Sequence, residues 1–446
     1  MYQRRKPHAM ADFPGHHRNL SFADGLGDNH GILCGTRVAD CRILCSWLLP
    51  CPSIRIIIGT VDVHVAHPQL PMSSHFFITG GTGLVGTNLI PRLLKRFPDS
   101  TITLLARGGD ETEAHERVKK IACGVGEEYG IPDAGARIDG MLGDVNLEHC
   151  GLTPLQLEQI VSHTTHIIHG AATIRFDHPL DEARSINCGG TRRMLAIAEM
   201  CLKKGKLERF VYIGSSSVSG QRAGRILESE LETGQKFFNT YEQSKNESER
   251  IVRDHFDRVP ATVFRPSIII GDSTTGKTTS FNVIYIPLRL LQRGMLTYVP
   301  GTPETLMDLV PIDWVDDAMV YVLGRPESAG QVYHITAGPD RAAPLGEVVG
   351  KAIAYFDRHT PLKHPRTIEY VTREEFERRR SNMRGREEAL MGQLDTLLPY
   401  VSINRLFDSR NADALLAGSG IRFPVFKDYA EKIFEYCVKT KWGKVG

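Results

Sequence analysis

From His75 onward the chain alternates two kinds of hydrophobic pattern. Short apolar runs, such as HFFIT at 75–79, are followed by stretches in which apolar residues return every three or four positions. After the first run, Leu84, Val85, Leu89, Ile90, Leu93, Leu94 and Phe97 keep the spacing of one helix face. TITLLA (101–106), MLGDV (141–145), THIIHGAA (165–172), RFVYIG (209–214) and the run into SIIIG (267–271) read as further strands. Runs that are apolar throughout suit strands covered on both faces. Their alternation with helices predicts an α/β protein, a doubly wound parallel sheet with helices on each side. Beyond about residue 340 the pattern turns mostly helical. Thr372-Arg-Glu-Glu375 is a capping box that opens a helix, and Lys427–Val438 is a closing amphipathic helix. The expected organisation is a main domain over 72–340 and a smaller helical region over 341–446 that caps a substrate cleft.

Composition changes this picture at one end only. With 41% hydrophobic and 24% charged residues, the 446-residue chain fits an ordinary soluble protein. Residues 1–71 differ: they hold six of the 17 His and four of the nine Cys, without a sustained helix or strand period. Cys34, Cys41, Cys45 and Cys51 lack the paired spacing of a zinc site, so no metal is expected. The apolar run 43–58 is broken by Pro50, Pro52 and Arg55, so no membrane span is expected. This segment reads as a disordered N-terminal extension. The remaining residues carry 47 charges of each sign, which gives no reason to expect a nucleic-acid partner. The scattered Cys beyond it suit a reducing, cytoplasmic setting.

Candidate chemistry begins at the first strand end. Thr79, Gly80, Gly83, Leu84, Val85 and Gly86 lie in TGGTGLVG, between a strand and a helix. Glycines there permit a sharp turn, close approach to a pyrophosphate and tight helix packing, the features of a Rossmann-type dinucleotide site. About twenty residues on, Arg107 ends the second strand where an acid would bind the ribose of NAD, so NADP(H) is expected over NAD(H). Asp144 and Val145 end the third strand near the expected adenine, and Ala171 and Ala172 leave room for the nicotinamide ribose. Pro266 is placed beside the nicotinamide, on a strand read as lying at the sheet edge.

Ser215 follows the strand RFVYI, and Tyr241 and Lys245 stand four apart in TYEQSK, on one helix face. A cation beside a phenol lowers its pKa, and a serine hydroxyl on the neighbouring strand end can hold a substrate oxygen against it. Ser216 competes with Ser215 for that role. Asn187, in SINCGGT, is a candidate to hold a proton-relay water. GDSTTGKT (271–278) matches the phosphate-loop pattern, but nucleotide hydrolysis would leave the glycine turn, Arg107 and the Tyr–Lys pair unexplained, so the match is read as accidental. Arg289 and Arg293, four apart, could meet ligand phosphates or face solvent. Arg378, Arg379, Arg380 and Arg384 are read as solvated charge, with docking of an acidic carrier as the competing use.

TGGTGLVG, GSSSVSG and YEQSK together resemble the extended short-chain dehydrogenase/reductase superfamily. HGAATIRFDHPLDEARSINCGGT (169–191), FRPSIIIGDSTTGKTTSFN (264–282) and LMDLVPIDWVDDAMV (306–320) are similar to its fatty acyl-CoA reductase, or male sterility, branch and the related carrier-protein thioester reductases. The resemblance spans about residues 75–325. It implies catalysis by Ser215, Tyr241 and Lys245, with NADP-dependent reduction of an acyl thioester, on CoA or a carrier protein, to aldehyde or alcohol. Where that branch often has Thr at the first position, this chain has three serines. The competing expectation is a nucleotide-sugar epimerase or dehydratase using the same residues.

Overall fold

The computed structural model describes residues 74–444 except 177, 386, 387, 389–391, 393, 395–397 and 402. The expected extension over 1–71 lies outside the described residues. Seven strands form one parallel sheet: β1 (His75–Thr79), β2 (Thr101–Ala106), β3 (Ile138–Leu142), β4 (His166–His169), β5 (Arg209–Ile213), β6 (Ala261–Pro266) and β7 (Gln331–Ile335). Their spatial order is β7-β6-β5-β4-β1-β2-β3. β1 pairs with β2 in the register His75↔Thr101 and with β4 in the register Phe76↔His166. The chain therefore leaves β1 in one direction and returns to its other side at β4. This reversal opens a crevice at the carboxyl ends of β1 and β4.

The strands are buried because helices cover both faces. On one side pack α1 (Leu84–Arg96), α2 (Glu111–Tyr129) and α7 (Ile312–Leu323), through Leu89, Ile90, Val118, Ala122, Val315 and Val322. On the other side pack α3 (Pro154–His163), α4 (Gly190–Lys203) and α5 (Thr240–Arg253), through Ile160, Met194, Leu195 and Val252. α3 starts where a capping box of Thr153 and Gln156 satisfies its first N–H groups and Pro154 needs none.

A second core gathers α6 (Tyr285–Gln292), α8 (Leu345–His359) and α9 (Phe426–Lys439). It also holds a two-stranded parallel pair, Tyr298–Pro300 with Glu369–Val371. The helical C-terminal region is thus completed by residues from before position 340. Ser267 helps to tie the two cores. Its hydroxyl donates to Asp308, whose carboxylate also accepts the N–H groups of Ala337 at 2.8 Å and Gly338 at 3.1 Å. Pro266 does not lie on an edge strand. β6 is interior, and Pro266 is tolerated because it is the last residue of the strand, where the ladder ends. Among the described residues, no helix is long and apolar enough to cross a membrane, and no cluster of His, Cys, Asp and Glu is arranged to hold a metal.

Candidate active site

The glycine turn closes against β4. Gly80 has φ 76°, and a Cβ there would lie 2.6 Å from the Gly170 carbonyl carbon and 2.7 Å from the Ala171 nitrogen. A Cβ on Gly86 would lie 2.3 Å from the Gly80 oxygen, so only glycine lets α1 start this close to β1. Gly83 caps α1 with no side chain on its N-terminal N–H groups, and no acid occupies the first turn. Open N–H groups and an uncompensated positive helix end fit a dinucleotide diphosphate. Leu84 and Val85 form that first turn.

Behind the turn runs a buried polar line. The Thr79 hydroxyl is 2.7 Å from His169 Nδ1, His169 Nε2 is 3.2 Å from the Thr191 hydroxyl, and Ala171 N–H donates to Thr79 at 3.3 Å. Burial first, and the Lys245 charge second, lower the His169 pKa to about 3, so the ring is a neutral spacer. It orients the strand ends that carry Thr79 and Ala171; Ala172 follows, partly exposed. At the far end of the crevice Arg107 is exposed just past β2, and Asp144 is partly exposed past β3 with its carboxylate in a turn to Asn146 N–H at 2.9 Å. Val145 is buried beneath it, against Gly190.

Past the end of β5 Ser215 reaches Tyr241, and Lys245 reaches the last residue of that strand, Ile213. Ser215 is the side chain whose hydrogen bonding acts on the Tyr241 phenol. Its hydroxyl is also 2.7 Å from that of Ser217 and accepts the Ser217 N–H at 3.2 Å. Ser216 is buried, and its carbonyl accepts from Ser219. Of the three serines, Ser215 is the one whose hydroxyl acts on the phenol, and Ser217 is bonded to it. Asn239 caps α5 by accepting the Glu242 N–H, which places Tyr241 in the first turn and Lys245 one turn on. Lys245 is 3% exposed; its ammonium donates to the Ile213 carbonyl at 2.7 Å and lies 4.4 Å from the centre of the Tyr212 ring.

The electrostatics correct the sequence reading in one respect. Burial raises the Tyr241 pKa rather than a cation lowering it, and Ser215 opposes that shift only in part. Lys245 is itself lowered to about 7, chiefly by burial, with Glu249 opposing. The phenol therefore stays protonated at neutral pH, and the lysine is turned to the backbone. Asn187 sits on a π-helical turn, Ser185–Gly189. Its side-chain oxygen accepts the Thr173 N–H at 2.8 Å, and its amide N–H donates to Ser244 at 2.9 Å. Its carbonyl accepts from the Thr191 hydroxyl at 2.7 Å. These bonds tie the loop after β4 to α5.

Sequence reading missed the wall beside Tyr241. Phe176 packs on Tyr241 with ring centres 5.4 Å apart. Glu242, fully buried, accepts the Phe238 N–H at 2.9 Å and faces Arg405 at 3.8 Å. Arg405 lies 5.5 Å from the Phe238 ring centre and 5.3 Å from that of Tyr400. No local pattern marks Arg405; a short parallel pair, Gly224–Ile226 with Arg405–Phe407, carries it there.

The phosphate-loop letters make no phosphate loop. Asp272 fills the turn with its own carboxylate, which accepts the N–H groups of Thr274 at 2.9 Å and Thr275 at 2.8 Å. A Cβ on Gly276 would lie 2.1 Å from the Lys432 carbonyl of α9, and α6 does not begin until Tyr285. Lys277 pairs with Glu128 on α2, both half exposed. Lys277→Ala should leave turnover unchanged and shift stability by at most about 1 kcal/mol, read from steady-state rates and urea unfolding. Loss of turnover would restore the loop as a functional element. The basic helix Arg373–Ser381 is largely self-neutralised: Arg378 pairs with Glu375 at 2.7 Å, and Arg379 with Glu369 and Glu375 at 2.6 Å. Arg293 is exposed, whereas Arg289 is partly buried.

The family model described as male sterility protein matches residues 78–319. A non-canonical nonribosomal peptide synthetase, FrzA of Cladobotryum sp, is 29% identical over 310 residues, 67% of this chain and 29% of its own length. Human fatty acyl-CoA reductase 2 is 24% identical over 334 residues, 65% of this chain and 62% of its own. The chain thus spans under two thirds of the length of these relatives. Among solved structures, the terminal R domain of the myxalamid PKS-NRPS pathway superposes with TM-score 0.70 at 25% identity, covering 83% of this chain and 92% of that one. UDP-glucuronic acid 4-epimerase from Bacillus cereus, solved with NAD, shares the fold, with TM-score 0.57 at 16% identity over 82% of this chain and 98% of its own. The match runs through the glycine turn, Ser215 and the Tyr241–Lys245 helix, and the chain belongs to the male sterility family, the fatty acyl-CoA reductase-like branch of the extended short-chain dehydrogenase/reductases.

Proposed function

We propose that this chain reduces an acyl thioester, carried on CoA or on a carrier protein, with NADPH as the reductant. The observation that carries the reading is the meeting of Ser215 and Tyr241 at the end of β5, with Lys245 one turn along the same helix. The names of the relatives, fatty acyl-CoA reductases and peptide synthetases, favour a thioester over a nucleotide sugar. The bound nicotinamide supplies a hydride to the thioester carbonyl carbon. Ser215 hydrogen-bonds the carbonyl oxygen as charge builds on it, and Tyr241, held protonated by burial, delivers the proton. Lys245 would hold the cofactor ribose from its place one turn along α5. The resulting hemithioacetal loses its thiol to leave an aldehyde, and a second round yields the alcohol. Gly80, Gly83, Gly86 and the open N–H groups of α1 would hold the diphosphate, Asp144 would serve the adenine, and Ala171, Ala172 and Pro266 would leave room for the nicotinamide.

The test is to follow NADPH with acyl-CoA substrates and, separately, with UDP-sugars. Consumption with the thioesters and none with the sugars supports the reading. Sugar turnover without net NADPH loss would replace it with an epimerase. The preference for NADPH is assigned to Arg107, whose guanidinium is exposed just past β2 and pairs with no described residue. A hydrogen bond to a charged group is worth roughly 1.5–3 kcal/mol, so Arg107→Ala should raise the KM for NADPH about 10- to 100-fold and leave that for NADH unchanged. Equal effects on both cofactors would move the 2′-phosphate site elsewhere.

A further inference from the structure

A lysine ammonium is costly to bury unless something offsets its charge. The titratable groups around the buried Lys245 are Tyr241 and Glu249 on α5, His169 on β4 and Cys188 on the π-helical turn. Burial keeps the imidazole uncharged and raises the thiol and the phenol, so these three are neutral. Glu249 carries charge, but its oxygens are committed elsewhere. They bond Arg265 at 2.8 and 2.7 Å and Arg253 at 2.8 Å. Among the described residues, no carboxylate forms an ion pair with Lys245.

What the ammonium does touch is β5. It donates to the Ile213 carbonyl at 2.7 Å and stands over the Tyr212 ring, 4.4 Å from its centre. Tyr212 is buried in the core that also holds Leu195 of α4 and Val252 of α5. Burial raises its phenol well above the usual range, so the ring stays uncharged and acts through its face. The negative face of an aromatic ring attracts a cation, most strongly where water is excluded. Ile213 takes one of the three ammonium donors, so contact with the ring leaves donors for the hydroxyls of a ribose.

We propose that Tyr212 is a positioning residue for Lys245: its buried ring face holds the ammonium in its charged form, in place of a carboxylate. A carboxylate at that point would draw the ammonium donors to itself. A ring face attracts the cation without competing for them. The assignment does not depend on which substrate is reduced; only its consequence for cofactor binding rests on the reading that Lys245 holds the ribose.

The test labels the lysines of the full chain with carbon-13 at Cε, assigns Lys245 by the loss of its resonance in Lys245→Arg, and follows that resonance against pH without cofactor. In the wild type its Hε protons should lie upfield of those of exposed lysines, as protons over a ring face do. Burial, opposed by Glu249, puts the wild-type midpoint at about 7. Tyr212→Phe keeps the ring face and should leave the midpoint in place. Tyr212→Leu removes the face and should lower it by about one pH unit. NADP⁺ titrations supply the second readout. The wild type should bind about 5-fold more tightly than Tyr212→Leu near pH 7 and within about twofold of it near pH 5.5, where both lysines are charged. Comparing the two chains at one pH cancels the titration of the cofactor's own phosphate. A midpoint that stays in place in folded Tyr212→Leu, or falls equally in Tyr212→Phe, overturns the proposal. If the leucine variant does not fold, Tyr212→Met supplies the midpoint, and wild-type Hε protons without the upfield shift overturn the proposal by themselves. A lowered midpoint with an affinity ratio that ignores pH keeps Tyr212 as the support of the ammonium and moves the ribose away from Lys245.

Discussion

Tyr241→Phe is expected to lower kcat about 10²- to 10⁴-fold, the usual range for a positioned proton donor, while NADPH affinity stays within about twofold. The substitution removes one oxygen and keeps the ring, so the contact with Phe176 at 5.4 Å survives and the surroundings keep their shape. The first turn of α5 is held by Asn239 and by the bond from Phe238 N–H to Glu242, neither of which involves the phenol. Ser215 stays held by Ser217 at 2.7 Å, so the carbonyl oxygen still finds one hydroxyl. What is lost is the proton. Burial keeps this phenol protonated well past neutrality, which suits a donor to a nascent alkoxide. Steady-state NADPH oxidation measures the rate, and a fluorescence titration of NADPH measures binding. Turnover close to that of the native chain would remove Tyr241 from the chemistry and leave the proposed mechanism without an acid.

The parts of this site that were legible in the sequence are local. Gly80, Gly83 and Gly86 stand between an apolar run and a helical period, and a turn there has few other solutions. Tyr241 and Lys245 share a helix face by spacing alone, and the order glycine turn, Ser215, Tyr241 lets each support the others. Spacing does not report dielectric. Two groups four residues apart were read as one lowering the other's pKa, yet burial dominates both and the ammonium bonds to Ile213 instead. The phosphate-loop letters failed for a related reason: a pattern records residue types, while the nest of N–H groups it implies is filled here by Asp272.

Contacts between distant positions were not legible at all. The line from Thr79 through His169 to Thr191 joins residues 90 and 22 apart, and nothing near His169 distinguishes a spacer from a ligand or a base. Residues 284–300 look like part of the main domain by position, but their apolar faces close on α8 and α9. Ser217 could have been found: in a run of three serines after a strand, a hydroxyl two residues on is well placed to support the first.

Arg265→Met should cost about 3–5 kcal/mol of folding free energy, the range for breaking a buried ion pair from one side. Arg265 and Glu249 have side chains 1% and 0% exposed and bond twice, at 2.8 and 2.7 Å. The guanidinium also donates to the Glu230 carbonyl at 2.7 Å and lies 3.1 Å from His334 Nε2. His334 Nδ1 meets the Asp408 carbonyl at 2.7 Å, so the ring donates there and accepts from Arg265. Burial first, and Arg265 second, lower His334 to about 3, which keeps that acceptor neutral at any ordinary pH. Methionine fills much of the same volume but offers no donor. Glu249 then keeps Arg253 at 2.8 Å, while its second oxygen and the Glu230 carbonyl are left buried and unmatched. Glu249 is one turn beyond Lys245, so the loss also loosens the helix that carries Tyr241 and Lys245. Urea unfolding with an unchanged slope measures the free energy. A double-mutant cycle with Glu249→Gln should give a coupling above about 1 kcal/mol, since the two groups share their hydrogen bonds. If Arg265→Met falls within about 1 kcal/mol of the native chain, the pair does not anchor α5 to the sheet, and the placement of Tyr241 must depend on the Asn239 cap and the Arg405 wall instead.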